Sequence, residues 1–123
     1  MRRGRPRKPA KVTYINAVYQ QYKNGARNRG MGFDLTLIEF EKLIFSNCHY
    51  CGRKPSMVIK RQKSFELYDL KHNGVDRKYS YLHYCPGNVV PCCTICNFAK
   101  GTMTYDDYLV YLDELIQYRT KPD

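Results

Sequence analysis

Two pairs of cysteines constrain this chain more than any other feature of its sequence. Cys48 and Cys51 form the first pair, and Cys93 and Cys96 form the second. Four thiolates suit a tetrahedral Zn²⁺ ion, because a two-residue gap lets each pair bind the metal from one turn. Four protein ligands leave no open position on the metal, so the predicted zinc is structural. Buried free thiols or a redox dithiol are the alternatives.

The spacing between the pairs also bears on the fold. The 41 residues between Cys51 and Cys93 are too many for a small zinc finger, so the metal is predicted to hold a whole subdomain together. A chain of 123 residues favours one domain, with a modest core that a metal would help to stabilise. Of the two surplus cysteines, Cys92 is predicted to be a small buried residue, and Cys85 has no predicted role.

The sequence also bears on the compartment. It has neither a secretory signal nor an apolar run of about 18 residues, so no membrane partner is expected. Six cysteines without such a signal indicate an intracellular, reducing environment, in which zinc ligation is favoured over disulfides.

Hydrophobic spacing and capping signals predict an α+β fold. Four helices are predicted, over 13–29, about 37–45, 93–101 and from Thr104 onward. Thr36 and Glu39 form a capping box at the start of the second helix. The segments 75–77 and 88–92 are predicted to pair as short strands, and 57–70 is predicted to form a ragged hairpin with a basic loop.

The first eleven residues carry six arginines and lysines and no acidic residue, in a chain with a net charge of +10. Nucleic acid is the commonest partner of such a chain, although a soluble basic protein with a solvated tail has the same composition. Residues 1–12 are predicted to be a disordered tail, and 13–120 the folded domain.

Within the tail, the string RGRPRKP at 3–9 resembles an AT-hook. In that resemblance the glycine lets the backbone lie deep in the minor groove, the arginines follow the groove floor, and the prolines keep the segment extended. A·T tracts concentrate negative potential there. The predicted DNA contacts of the tail are Arg3, Gly4, Arg5, Pro6, Arg7 and Lys8. Non-specific phosphate binding is the alternative.

A wider resemblance covers roughly residues 13–115. The front half has a helix ending in ARNRG at 26–30, then a Leu-Thr capped helix, then C-x2-C-G. The back half has NGVDR at 73–77 and NVVPCC at 88–93, followed by Cys96-Asn97 and Lys100-Gly101. Together these motifs resemble the HNH (ββα-metal, or His-Me finger) endonucleases, in particular the phage-type, endonuclease VII-like branch with two zinc knuckles.

The resemblance implies a zinc-stabilised ββα-metal motif flanked by helices. It implies metal-dependent hydrolysis of phosphodiester bonds in DNA, by nicking or double-strand cleavage. A phage or mobile-element origin, and with it the cytoplasm of a bacterial host, is also implied.

The same resemblance implies a set of site residues. An Asp on the first strand and an Asn directly after the last zinc cysteine hold the catalytic Mg²⁺ or Mn²⁺, and these positions match Asp76 and Asn97. Such ions prefer oxygen ligands and retain several waters, so two protein oxygens suffice. The central Asn of the HNH pattern matches Asn88, which braces the strand–loop connection. Lys100 lies three residues beyond Asn97 on one helix face and is predicted to contact a DNA phosphate, with an ordinary exposed lysine as the alternative.

The family usually supplies a histidine immediately after the metal-binding aspartate, or a few residues on, as general base. Here Arg77 follows Asp76, and Tyr79 stands where relatives often have a second acid. His83, in the loop that returns to Asn88, is the predicted candidate base, with an ordinary loop histidine as the alternative. Arg77 stays protonated, so it is predicted to hold the phosphate and stabilise negative charge in the transition state. Water activation by the metal alone and loss of catalysis are the remaining alternatives.

Two functions other than nuclease activity fit the same residues. A zinc-containing DNA-binding protein with a degenerate nuclease site would act as an architectural or regulatory factor. The third hypothesis is an RNA-binding protein, because the 12 tyrosines would allow base stacking, although no RNA-binding module is visible in the sequence.

Overall fold

Four α-helices and a two-stranded antiparallel sheet make up the fold of the described residues. The structure is a computed structural model that describes residues 10–59 and 70–122. The elements in chain order are α1 (Ala10–Asn28), α2 (Leu37–Ile44), β1 (Gly74–Arg77), β2 (Val89–Cys92), α3 (Thr94–Lys100) and α4 (Tyr105–Arg119). The two strands and α3 form a ββα unit, and the predicted α+β fold class is confirmed.

Local capping signals predicted the helix starts well. The Thr36 hydroxyl accepts a hydrogen bond from the Glu39 N–H at 3.1 Å, and the Glu39 carboxylate accepts one from the Thr36 N–H at 2.8 Å. This reciprocal pair confirms the capping box of α2. Thr104 caps α4, also as predicted. By contrast, α1 begins at Ala10, three residues before the predicted start, because alanine and lysine at positions 10 and 11 favour a helix.

Two predicted features fall on residues that the structure does not describe. Most of the predicted hairpin over 57–70 is one of them, because residues 60–69 are not described; of its described part, Met57 forms an isolated antiparallel bridge with His72. The other is the AT-hook-like string, so the DNA contacts predicted for residues 3–8 stay predictions. In the described part of the chain, no helix is long and apolar enough to cross a membrane.

The β1–β2 pair contributes to both clusters of the hydrophobic core. Asp76 lies opposite Val90 in the register, and Gly74 lies opposite Cys92. Val75 packs in the first cluster with residues of α1 and α2, whereas Cys92 packs in the second with the knuckle cysteines and α4. The buried members of the first cluster are Tyr14, Val18, Ala26, Leu35, Phe40, Ile44, Val75 and Tyr84. Packing on both clusters fixes the strand that carries Asp76.

Gly74, the first residue of β1, allows α1 to approach the sheet closely. A Cβ at Gly74 would lie 2.7 Å from the Tyr22 hydroxyl oxygen and 3.3 Å from the Cys92 carbonyl oxygen. The hydroxyl is itself held in place, because it accepts a hydrogen bond from the Val75 N–H at 3.0 Å. Any side chain at position 74 must therefore displace the tyrosine or move the strand.

We expect Gly74→Ala to lower the free energy of unfolding by about 1–3 kcal/mol, the usual cost of overpacking. Gly25→Ala inside α1 is the matched control, since the nearest atom outside the helix backbone is a guanidinium nitrogen of Arg29 at 3.5 Å. The control is expected to be as stable as the parent, or up to about 1 kcal/mol more stable, because alanine favours helix. Urea unfolding followed by circular dichroism measures both, and equal stability of the two variants would contradict the close contact.

Candidate zinc centre and active site

The two cysteine pairs come together in the folded chain. The sulfurs of Cys48, Cys51, Cys93 and Cys96 all lie within 4.8 Å of one another, and the Cys51 and Cys93 sulfurs are 3.6 Å apart. Sulfurs about 2.3 Å from a tetrahedral Zn²⁺ are separated by about 3.8 Å. The four cysteines thus form a site that fits a metal ion such as zinc, and the predicted cluster is confirmed.

Backbone hydrogen bonds place each pair. In the first knuckle, which is the turn from Cys48 to Cys51, the Gly52 N–H donates to the Cys48 carbonyl at 2.9 Å. A positive φ of 77° at Gly52 closes this turn. The His49 N–H donates to the Pro91 carbonyl at 2.8 Å, which ties this knuckle to β2. In the second knuckle Cys93 caps α3, with its sulfur accepting from the Cys96 N–H at 3.3 Å. The backbone alone therefore positions the sulfurs for a common ligand.

The Cys48 thiol is prepared for metal ligation. Burial raises its pKa, but hydrogen bonds from the backbone N–H groups of Cys93, Cys51 and Tyr50 outweigh burial and lower the pKa to about 7. A thiolate is the form that binds a metal. Cys92 is as buried as Cys48, at 3% exposed, but its pKa is raised, because burial and the nearby Asp76 carboxylate both act in that direction. Its predicted role as a small buried residue is confirmed.

Asp76 on β1 is held by two neighbours. Its Oδ2 accepts a hydrogen bond from the Tyr50 hydroxyl at 2.7 Å and lies 3.0 Å from the Lys100 ammonium. The Lys100 and Asp76 side chains are 5% and 12% exposed, so the ion pair is shielded from water. Lys100 also donates to the Arg77 carbonyl at 3.1 Å. The last residue of α3 is thereby connected to β1, and the first zinc knuckle contacts the same carboxylate.

Lys100 was expected to point a charged group toward a DNA phosphate. It is a buried residue that pairs with Asp76, and its predicted contact with DNA stays a prediction. The alternative of an ordinary exposed lysine is wrong for the same reason. Burial raises the pKa of Tyr50, and its hydrogen bond to Asp76 raises it further, so the Tyr50 hydroxyl keeps its proton and remains a donor.

A cavity of about 310 Å³ lies beside this ion pair. The residues that line it are Tyr22, Arg29, Val75, Asp76, Arg77, Ser80, Tyr84, Asn97, Lys100, Gly101, Thr102 and Met103. Asp76, Arg77 and Asn97, which the sequence predicted as catalytic residues, are thus brought to one cavity. Asn97 is exposed at its position on α3, and Cys96 beside it is fixed in the cysteine cluster.

Arg77 lines the cavity and also holds the loop that follows β1. Its Nη1 donates to the carbonyls of Ser80 and Leu82, the latter at 3.2 Å, and its guanidinium lies 5.2 Å from the centre of the Tyr84 ring. These contacts fix the orientation of the guanidinium at the cavity wall.

Asn88 is buried and makes the contacts of a brace. Its Oδ1 accepts from the Tyr79 N–H at 3.1 Å, while its Nδ2 donates to the carbonyls of Tyr79 at 3.2 Å and His83 at 3.0 Å. The side chain spans the loop between the two strands. It is not among the described residues that line the cavity.

His83 does not lie over the cavity. Its Nδ1 accepts a hydrogen bond from the Gly32 N–H at 2.8 Å, and its ring would be 3.0 Å from a Cβ at Gly32. His72 is buried against the Tyr14 hydroxyl at 2.6 Å, and burial lowers its pKa to about 4. The His49 Nε2 is hydrogen-bonded to the Tyr105 hydroxyl at 2.8 Å. Among the described residues that line the cavity, none is a histidine.

Tyr50 is the site residue that the sequence did not predict. It lies between the first two cysteines, and no motif marks its hydroxyl as a partner of Asp76. The one available signal was positional: a residue inside a knuckle must lie close to the element that carries the other knuckle.

Comparisons with known proteins agree with this fold. No protein-family model matches the sequence. The fold is similar to that of an HNH restriction endonuclease of known structure. The similar solved structure is that of PacI, a rare-cutting HNH restriction endonuclease described as perturbing DNA. It aligns with a TM-score of 0.61 and 22% identity, over 85% of this chain and 78% of that one.

A viral protein is similar in sequence. An uncharacterized protein of Acanthamoeba polyphaga mimivirus is 34% identical over 100 residues, which are 81% of this chain. The chain spans only 16% of the length of that relative.

We expect chelation of the metal to abolish cooperative unfolding, because the ion joins two segments separated by 41 residues. Cys93→Ser is expected to have the same effect. Cys85→Ser is the matched control, since Cys85 lies outside the four-cysteine cluster. Metal content and thermal melting by circular dichroism measure the outcome. A chelated protein that still melts cooperatively at its original temperature would show that the metal is not structural.

Proposed function

We propose that the chain is a metal-dependent DNA endonuclease of HNH type, which nicks DNA or cleaves both strands, and that its cysteine cluster holds a structural Zn²⁺. The observation that carries this proposal is the convergence of Asp76, Arg77 and Asn97 on one cavity of the ββα unit. The similarity in fold to an HNH restriction endonuclease supports it. Four cysteine ligands favour zinc over magnesium or calcium, which prefer oxygen.

The Asp76 carboxylate and the Asn97 amide oxygen fit a Mg²⁺ or Mn²⁺ ion. They are the hard oxygen donors that such ions prefer, and both line a cavity roomy enough for the retained waters. When bound there, the divalent cation supplies stabilisation of the negative charge that develops on the phosphate and the leaving oxygen. Arg77 contributes a second positive charge at the cavity wall, where it is already oriented by Ser80 and Leu82.

Lys100 has a different role in this proposal from the phosphate contact expected of it. Its ammonium lies 3.0 Å from the Asp76 carboxylate and compensates the charge of that carboxylate at a nearly buried position. A divalent cation must share the carboxylate with Lys100 or displace it.

We expect Asn97→Ala and Asp76→Asn to abolish nicking of supercoiled plasmid in the presence of Mg²⁺ or Mn²⁺. Asp113→Asn on the exposed part of α4 is the matched control and is expected to cleave normally. Asp76→Asn leaves the buried Lys100 unpaired and can destabilise the fold, whereas Asn97 is exposed and its loss is expected to leave folding intact. The assay is gel electrophoresis of the plasmid, with circular dichroism to verify that each variant is folded.

A DNA-binding protein with a degenerate nuclease site is the alternative function. Two observations favour it: Lys100 already neutralises the Asp76 carboxylate, and no histidine is among the described residues at the cavity. The plasmid assay decides between the two functions. A folded wild-type protein that binds the plasmid but leaves it intact with every divalent metal would exclude the nuclease and favour the alternative.

We propose that the basic tail increases DNA affinity, and deleting residues 2–8 tests this. The deletion removes Arg2, Arg3, Arg5, Arg7 and Lys8 and stops before α1, which begins at Ala10. It spares Lys11, whose ammonium lies 3.7 Å from the Glu41 carboxylate.

Removing five positive charges is expected to weaken DNA binding and to flatten the dependence of log K on log salt. Fluorescence anisotropy at several salt concentrations measures both effects, with an A·T-rich and a G·C-rich duplex compared. Unchanged affinity and slope would show that the tail does not contact DNA.

A further inference from the structure

Four aromatic side chains, of which His49 and Tyr81 are exposed and Tyr79 and Tyr105 are half-buried, form a surface next to the candidate active site. We call this surface the aromatic platform and define it as His49, Tyr79, Tyr81 and Tyr105. The His49 and Tyr105 rings are stacked, with centroids 5.8 Å apart and planes at 29°. Tyr79 lies between Tyr105, at 6.3 Å, and Tyr81, at 5.8 Å. The rings therefore form a continuous series contributed by the first knuckle, the loop after β1 and the start of α4.

Polar contacts hold the inner rings of the platform in place. The Tyr79 hydroxyl donates to the Asp106 carboxylate at 3.0 Å, and the His49 Nε2 is hydrogen-bonded to the Tyr105 hydroxyl at 2.8 Å. Tyr81, at the end of the series, is 77% exposed. Prearranged rings lose little conformational entropy when a flat ligand stacks on them.

The platform is continuous with the candidate active site. The Tyr50 ring lies 6.0 Å from the Tyr105 ring, and the Tyr50 hydroxyl donates to Asp76 at 2.7 Å. Lys78, two residues after Asp76, places its ammonium 5.0 Å from the centre of the Tyr105 ring. A positive charge close to a series of aromatic rings that ends in an exposed one, here Tyr81, is the combination that binds the phosphate and the base of a nucleotide together.

We propose that the aromatic platform stacks an unpaired base of the DNA substrate beside the scissile phosphate. Every base has a flat face, but a base inside a duplex is covered by its neighbours, so the rings can reach only an unpaired one. The protein therefore prefers DNA with an unpaired nucleotide to a fully paired duplex. This inference rests on the proposed DNA substrate but does not require that the protein cleave it.

The test uses binding without added magnesium, which separates this inference from catalysis. The probes are a fully paired duplex and the same duplex with one unpaired 2-aminopurine, whose fluorescence falls when the base stacks. We expect the zinc-loaded full chain to bind the second probe roughly five-fold or more tightly than the first, in keeping with base–aromatic stacking. We also expect it to quench the 2-aminopurine fluorescence.

Variants of Tyr81 assign the effect to the platform. Tyr81→Ala is expected to lose most of the preference and the quenching, while Tyr81→Phe retains both because the ring is kept. Tyr118→Ala is the matched control: Tyr118 is 70% exposed on α4, about 20 Å along the helix from Tyr105.

Three results would overturn the proposal: no preference in the wild-type protein, a preference that survives in Tyr81→Ala, or an equal loss in Tyr118→Ala. Normal binding of paired duplex without any preference would leave the proposed DNA substrate in place and point to a protein partner for the platform. Failure to bind either probe would count against the proposed function as well.

Discussion

The contact between the two cysteine pairs is the interaction on which the rest of the site depends. One pair follows α2 and the other lies at the start of α3, so their meeting joins the first part of the chain to the ββα unit. The backbone hydrogen bond from His49 to Pro91 supports the same contact at 2.8 Å. Once the first knuckle lies against β2, Tyr50 can reach Asp76 on the neighbouring strand. The cysteine cluster thereby positions Asp76, the proposed catalytic carboxylate, through Tyr50.

A second constraint is the buried charge of Asp76. A carboxylate that is 12% exposed requires compensation, and Lys100 provides it at 3.0 Å with Tyr50 on the same oxygen. The pairing partner comes from the end of α3, three residues after Asn97, which is one helical turn. One short helix, α3, therefore carries two groups of the site. Asn97 is the neutral ligand proposed for the metal, and Lys100 neutralises the carboxylate of Asp76.

The sequence predicted those features whose cause is local. A capping box such as Thr36 with Glu39 requires only four residues, and the C-x2-C spacing requires only one turn. The predicted pairing of segments 75–77 and 88–92 also agrees with the structure. Asp76 and Asn97, which were predicted to act together, line one cavity. The burial of Lys100 was not predicted, because spacing placed this lysine on the correct helix face but gave no measure of how deeply that face is buried; its predicted contact with a DNA phosphate stays a prediction. His83 lies on Gly32 for a similar reason: its hydrogen bond is made across 51 residues of sequence, and no local pattern encodes it.

The four residues of the first knuckle make contacts with three different parts of the site. In Cys48-His49-Tyr50-Cys51, the two cysteines belong to the metal cluster, the Tyr50 hydroxyl contacts Asp76, and the His49 ring stacks on Tyr105. Neighbouring side chains in a tight turn point in different directions, so adjacent residues reach the metal, the carboxylate and the exposed rings at once. Because all three contacts share one backbone, displacement of the knuckle would disturb the proposed metal site and the aromatic platform together. While the turn stays fixed, a change in the aromatic platform is expected to leave the proposed metal site unaffected. Opening of the cysteine cluster is expected to disrupt the proposed metal site and the aromatic platform together.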